Sequence, residues 1–287
     1  MQSNSALEHK THIAADRGML PVQGRGWSAG FANILSKELT DWFGTRRWLI
    51  QTLIWLVILN VGLGLVLFLG PVLDPAAAQA ASSDPAGMAA SLYMNGYSLF
   101  FNTLAMLGSI GIIVLTQDEI IQEKQSGTAA WILTKPVSRA AFILSKLISN
   151  IFGALIFIVA VPALIAYFEV LAASGQSAPI MRYMQALGVM LLTLTFYISL
   201  SLMLGTFFEQ RGPVLAVTFG VLVGGLVVSQ FIPKVSYILP LSMDKIAMTL
   251  FQGQPLSSPM QFELITAALF SVLFMVAALW KFGDEEF

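Results

Sequence analysis

The chain contains no cysteine among its 287 residues, which excludes a disulfide framework, a thiolate metal site and a cysteine nucleophile together. Histidine is almost as scarce. His9 and His12 are the two present, and both lie in a polar N-terminal stretch. A HExxH zinc protease, a rhomboid-like Ser/His dyad and a haem-ligating bundle each need histidine at membrane depth, so none of them can be built here. No GxxxxGK[ST] run occurs, and any ATP used must therefore be bound by another chain. Charge is the third scarcity: 11% of residues are Asp, Glu, Lys or Arg, where a soluble domain carries roughly 25%. With 56% apolar residues and a mean hydropathy of +0.77, most of the surface must face lipid.

Six charge-free runs supply that surface: Trp48 to Leu73, Pro85 to Gln117, Leu147 to Phe168, Tyr183 to Phe208, Gly212 to Pro233 and Leu264 to Trp280. Each is near or above the ~20 residues that a helix needs to cross about 30 Å of hydrocarbon. A backbone in lipid must satisfy its own hydrogen bonds, and these runs lack the two-residue alternation of barrel strands. The expected fold is therefore an all-α integral membrane protein with spans near 48–70, 97–117, 143–168, 184–208, 213–232 and 262–280. Residues 1–30 read as a polar cytoplasmic tail, and 31–287 as one transmembrane domain. Met1 to Gln23 carries Glu8, Lys10, Asp16 and Arg17, too polar for a cleaved signal.

Orientation follows from basic residues near the helix ends. One side holds Lys37, Arg46, Arg47, Lys124, Lys135, Arg139, Lys146, Arg211 and Lys281, and the other holds Arg182, Lys234 and Lys245. The richer side is expected to face the cytoplasm, with both termini there, in the inner (plasma) membrane. The loop 71–96 and the segment 234–261 are then external, and the latter is apolar enough to dip into the outer leaflet as a gate or a packed cap. Ser242 is placed to cap a short helix over Met243 to Phe251.

Phe31, Ile34, Leu35, Leu39, Trp42 and Phe43 recur at helical spacing, with Asn33, Ser36, Lys37, Glu38 and Asp41 opposite. That pattern predicts an amphipathic helix lying flat on the membrane, followed by an Arg46, Arg47, Trp48 collar. No Asp, Glu or Arg falls inside the six charge-free runs, which weighs against an ion-coupled transporter. Glu169 and Arg182 are close enough in sequence to pair at the outer end of the third and fourth spans. Pro162 is expected to bend the third span. Glycines in the first, second and fifth spans, with Gly220 and Gly224 at small-xxx-small spacing, predict close helix contacts, either at a dimer seam or within one subunit.

The second polar connection, from Asp118 to Arg139, has a readable grammar. Glu119 and Glu123 lie four apart on one helix face, and Gly127 is suited to a left-handed helix end. Thr128 is placed to cap a new turn and Pro136 to end it. What remains is about six residues bearing Trp131, Ile132 and Leu133, far short of a helix stable alone in water. It must bury those side chains on a partner or on lipid.

The pattern Glu123, Gly127-Thr128, Leu133, Pro136-Val137-Ser138-Arg139 and Lys146 resembles a region of type 2 ABC exporter permeases, where it forms the cytoplasmic coupling helix. The stretch from Phe31 to Arg47 is similar to that family's connecting helix. The resemblance implies a permease dimer with a translocation path, working with separate ABC ATPase subunits that bind ATP and Mg. It also implies that Glu119, Glu123, Gly127, Thr128, Trp131, Ile132, Leu133, Pro136 and Arg139 serve ATPase coupling, with Phe31, Leu35, Trp42, Phe43, Arg46 and Arg47 on the interfacial helix. No catalytic residue, cofactor or metal is expected in this chain, and no nucleic acid as partner. A membrane scaffold and an integral membrane enzyme are the alternatives, the latter lacking clustered carboxylates or histidines at the interface.

Overall fold

In a computed structural model, which describes residues 26, 28–74, 79, 82–135 and 137–284, the chain is all-helical, with no strand among the described residues. The N-terminal tail with His9 and His12, and Pro136, lie outside the described residues. Helix α1 covers Phe31–Phe43. Six helices long and apolar enough to cross a membrane follow: α2 Arg47–Leu73, α3 Pro85–Gln125, α5 Arg139–Ser174, α6 Ile180–Phe207, α7 Arg211–Phe231 and α9 Ser258–Gly283. Two short helices intervene, α4 Thr128–Leu133 and α8 Met243–Gln252. The protein is a multi-pass membrane protein.

All six expected spans are present, and the main difference is at the start of the second. Residues 85–96, expected in an external loop, extend α3 by three turns. The local chemistry explains this: Asp84 accepts a hydrogen bond from the Gly87 N–H at 2.9 Å, and Pro85 occupies the first turn, where its missing N–H costs nothing. Pro162 follows a stretch of wider π winding at Ala154–Ala160, and its carbonyl accepts from Asn60 Nδ2 at 3.0 Å.

Helix α6 is the axis of the bundle, packed by α3, α8 and α9, and 72% of its span is buried against 28% for α2 and 22% for α7. The segment 234–261 packs on the bundle as a cap. Helix α8 buries Met243, Ile246, Ala247 and Phe251, and Phe251 sits among Tyr97, Phe101 and Tyr183 with ring centroids 4.4 to 6.2 Å away. Ser242 does flank α8, yet its side chain makes no cap; its N–H instead donates to buried Glu263 Oε1 at 2.7 Å. Arg182 does not meet Glu169. Its guanidinium donates to the Gln252 carbonyl at the end of α8, while Glu169 accepts from Asn60.

Candidate functional site at the basic end of the bundle

The residues singled out between Asp118 and Arg139 gather at the end of the bundle that carries Arg47 and Lys146, where α1, α3, α4 and α5 meet. Helix α1 forms as its apolar spacing predicts, but a different stripe is buried. Ile34, Glu38 and Trp42, at i, i+4 and i+8, face α5, while Phe31, Leu35 and Leu39 are half-buried and Phe43 is exposed along an open flank. Trp42 stacks on Phe157 at 5.7 Å and 14°, and Arg47 lies over the indole at 4.1 Å. Gly153 makes this possible, because a Cβ there would come within 2.6 Å of the Trp42 ring. Arg46 remains exposed.

Glu38 was expected on a water-facing side and is in fact 8% exposed. The reason is a cation from a distant helix. Lys146, whose side chain is 3% exposed, places Nζ 3.2 Å from Glu38 Oε1 and 3.0 Å from Glu123 Oε1. Lys37 completes the ring at 2.9 Å from Glu123 and 3.2 Å from Glu38. Burial works against the Lys37 charge, but the hydrogen bond to Glu123 and the nearby Glu38 outweigh it and push Lys37 up to about 12. Its ionic contribution to stability is thus whole below its ordinary 10.5 and lost only as pH rises through about 12.

Glu119 and Glu123 are the carboxylates that the resemblance assigns to ATPase coupling. Both turn inward. Glu119 accepts from Asn150 Nδ2 at 2.6 Å and lies 3.9 Å from Arg47, because three cations and an amide of its own chain surround the pair. The end of α3 is also tied to the α6–α7 hairpin, where Lys124 and Gln125 donate to the carbonyls of Thr206 and Glu209 at 3.5 and 2.7 Å.

Gly127 adopts the left-handed conformation (φ 72°) expected of it and itself occupies the N-cap of α4. Thr128 is therefore one residue inside the helix rather than its cap, and its hydroxyl pairs with Ser126 at 2.8 Å. The six-residue helix holds itself in place partly from within, by burying Ala129 and Ile132 and by packing Leu133 on the core. Trp131 is the exception, at 61% exposed, with Lys135 Nζ 3.5 Å above its ring.

The residues after α4 act as a staple. The Ser138 N–H donates to the Ala29 carbonyl at 3.0 Å, its hydroxyl accepts from the Ala141 N–H at 2.9 Å, and Val137 packs so closely on Gly30 (φ 74°) that no side chain fits there. Arg139, expected to serve a partner, donates to the carbonyls of Phe282 and Gly283 at the end of α9. Lys37, Glu38 and Asn150 are the members of this assembly that sequence reasoning placed elsewhere or passed over; no local signal marks them, since the partners that hold them lie on other helices.

The "Uncharacterized transmembrane protein YxlG" of Bacillus subtilis (strain 168) is 25% identical over 244 residues, covering 83% of this chain and 93% of that protein. Residues 81–284, which run from the start of α3 through α9, match the family described as "Protein of unknown function (DUF2705)", and the chain belongs to that family.

Proposed function

We propose that this protein is the membrane-spanning permease subunit of an ATP-driven exporter of the type 2 ABC class, in the plasma membrane with its basic end toward the cytoplasm. The observation that carries the reading is the setting of Trp131. It projects from a helix of six residues, while the carboxylates at the base of that helix are wired by Lys146 and Lys37 into α1, α3 and α5. A push on Trp131 would therefore reach three helices as one body. In this reading α4 is the coupling helix, α1 the interfacial helix, and a separate ATPase subunit supplies ATP and Mg.

Replacing Leu133 together with Trp131 would confound the test, since Leu133 packs on the protein's own core. Trp131→Asp alone is the better one. In mild detergent the wild-type chain is expected to co-purify with a nucleotide-binding subunit at one to one, and Trp131→Asp to lose at least about nine-tenths of it, the usual scale for a buried aromatic anchor. Intact co-purification by the variant would sink the coupling role.

The glycines favour a second copy as partner. Gly111 and Gly108 face side chains of their own chain, and Gly64 and Gly225 do so too, whereas a Cβ at Gly62, Gly220 or Gly224 would meet nothing within 4 Å. Helices α2 and α7 are also the least enclosed spans. Closely approaching backbones need such small residues, so α2 and α7 are the proposed seam. Gly220→Leu combined with Gly224→Leu is expected to shift the mass measured by light scattering from dimer to monomer; an unchanged mass would move the seam elsewhere.

A further inference from the structure

Away from the basic end, α2 and α5 enclose a second polar feature that neither the ion ring nor the coupling helix uses. Asn60 is 4% exposed and lies about 20 Å along α2 from Arg47, well inside a bilayer some 30 Å thick. Its Nδ2 donates to the Pro162 carbonyl at 3.0 Å and to Glu169 Oε2 at 3.3 Å. The donors end there. Asn60 Oδ1 is buried with no partner, and among the described residues no cation lies within ion-pair distance of Glu169. Arg182, the nearest candidate in sequence, is engaged with Gln252.

The other carboxylate oxygen lies over a gap in the α2 side chains, so close to the backbone that only glycine leaves it room. Gly64 stands one turn above Asn60, and a Cβ there would lie 3.2 Å from Glu169 Oε1. Glu169 itself is only partly covered, between the exposed apolar side chains Val61 and Leu65 of α2 and Ile165 and Phe168 of α5. The notch therefore offers acceptors in excess, one formal negative charge and an apolar surround. Glu169 stands toward the end of α5 away from Lys146, and an ionised carboxylate flanked there by exposed apolar side chains still calls for a compensating cation.

We infer that Asn60, Gly64 and Glu169 form a binding site for the cationic head of an amphiphile, an ammonium or guanidinium group whose alkyl tail lies along the apolar faces of α2 and α5. This deepens the exporter reading by naming a class of cargo. It stands on its own geometry, and its test uses no ATPase, so the two can fail separately.

The test uses the purified full chain in uncharged maltoside micelles, titrated with a fluorescent twelve-carbon alkylammonium and, as control, the same fluorophore on an uncharged twelve-carbon alcohol. The alkylammonium is expected to bind more tightly than the alcohol. Glu169→Gln keeps the shape and the amide contact and is expected to weaken the alkylammonium by about tenfold or more while leaving the alcohol unchanged. Gly64→Leu keeps the charge and fills the notch, and is expected to weaken it as well. Glutamine also mimics a protonated carboxyl, so equal binding of the alkylammonium by wild type and Glu169→Gln would mean that Glu169 is a neutral structural group and would overturn the site. Competition by phosphatidylethanolamine but not phosphatidylglycerol would identify a resident lipid headgroup as the occupant. Competition by neither would leave a cationic amphiphile other than these lipids as the occupant.

Discussion

Lys146→Met is expected to lower the stability of the isolated chain by about 3 to 5 kcal/mol, the scale for removing one partner of a buried ion pair. Lys146 sits between Glu38 and Glu123, and its ammonium is almost fully enclosed. Methionine fills the space but leaves three carboxylates facing two cations, Lys37 and Arg47, in a place that water hardly reaches. Lys37→Met is the comparison. The Lys37 side chain is 43% exposed, and loss of such a pair costs on the order of 1 kcal/mol or less. Heating both variants in detergent and following the monodisperse fraction should give a much larger drop in Tm for Lys146→Met. Adding Glu38→Gln to Lys146→Met should recover part of the loss, because the two act as a unit. Equal melting of the two single variants would mean that the ring is hydrated and contributes little.

Gly111→Ala is the second large effect, with a cost of about 3 kcal/mol or more. Gly111 faces the Trp55 ring so closely that a Cβ would lie far inside van der Waals contact with Cη2 and Cζ2. Trp55 has little room to yield: it is 3% exposed, and its indole N–H donates to Gln51 Oε1 at 3.0 Å. Gly62→Ala is the matched control, since a Cβ there meets open space and alanine is the better helix former. Thermal melting should separate the two clearly. A Gly111→Ala chain as stable as the parent would show that α2 and α3 can part without loss.

Most of the architecture was legible because lipid imposes a simple rule: a span needs about 20 apolar residues, which five of the six runs exceed and the last, Leu264 to Trp280, approaches with 17. The rule says nothing about which face of a helix turns inward. Glu38 was assigned to water by its polarity, but Lys146, 108 positions away in the chain, neutralises it from another helix. No local pattern carries that information. The same holds for Glu119, Glu123 and Arg139, whose partners lie on α1, α2, α5 and α9. The start of α3 was a different kind of miss. Asp84-Pro85 with Gly87 is a helix-start signal in plain view, obscured by the small apolar residues that follow it. Gly127 was the opposite case, since a left-handed helix end is a local property and the sequence declares it.

The uneven enclosure of the spans has a mechanical consequence. Around a largely buried α6, helices α2 and α7 bury fewer than a third of the residues in their most apolar stretches. Their tilt is therefore governed by whatever lies against their outer sides, fatty acyl chains or a neighbouring molecule. Stripping the annular lipid should loosen these two helices first, and deuterium should enter their backbone amides long before it reaches those of the central rod.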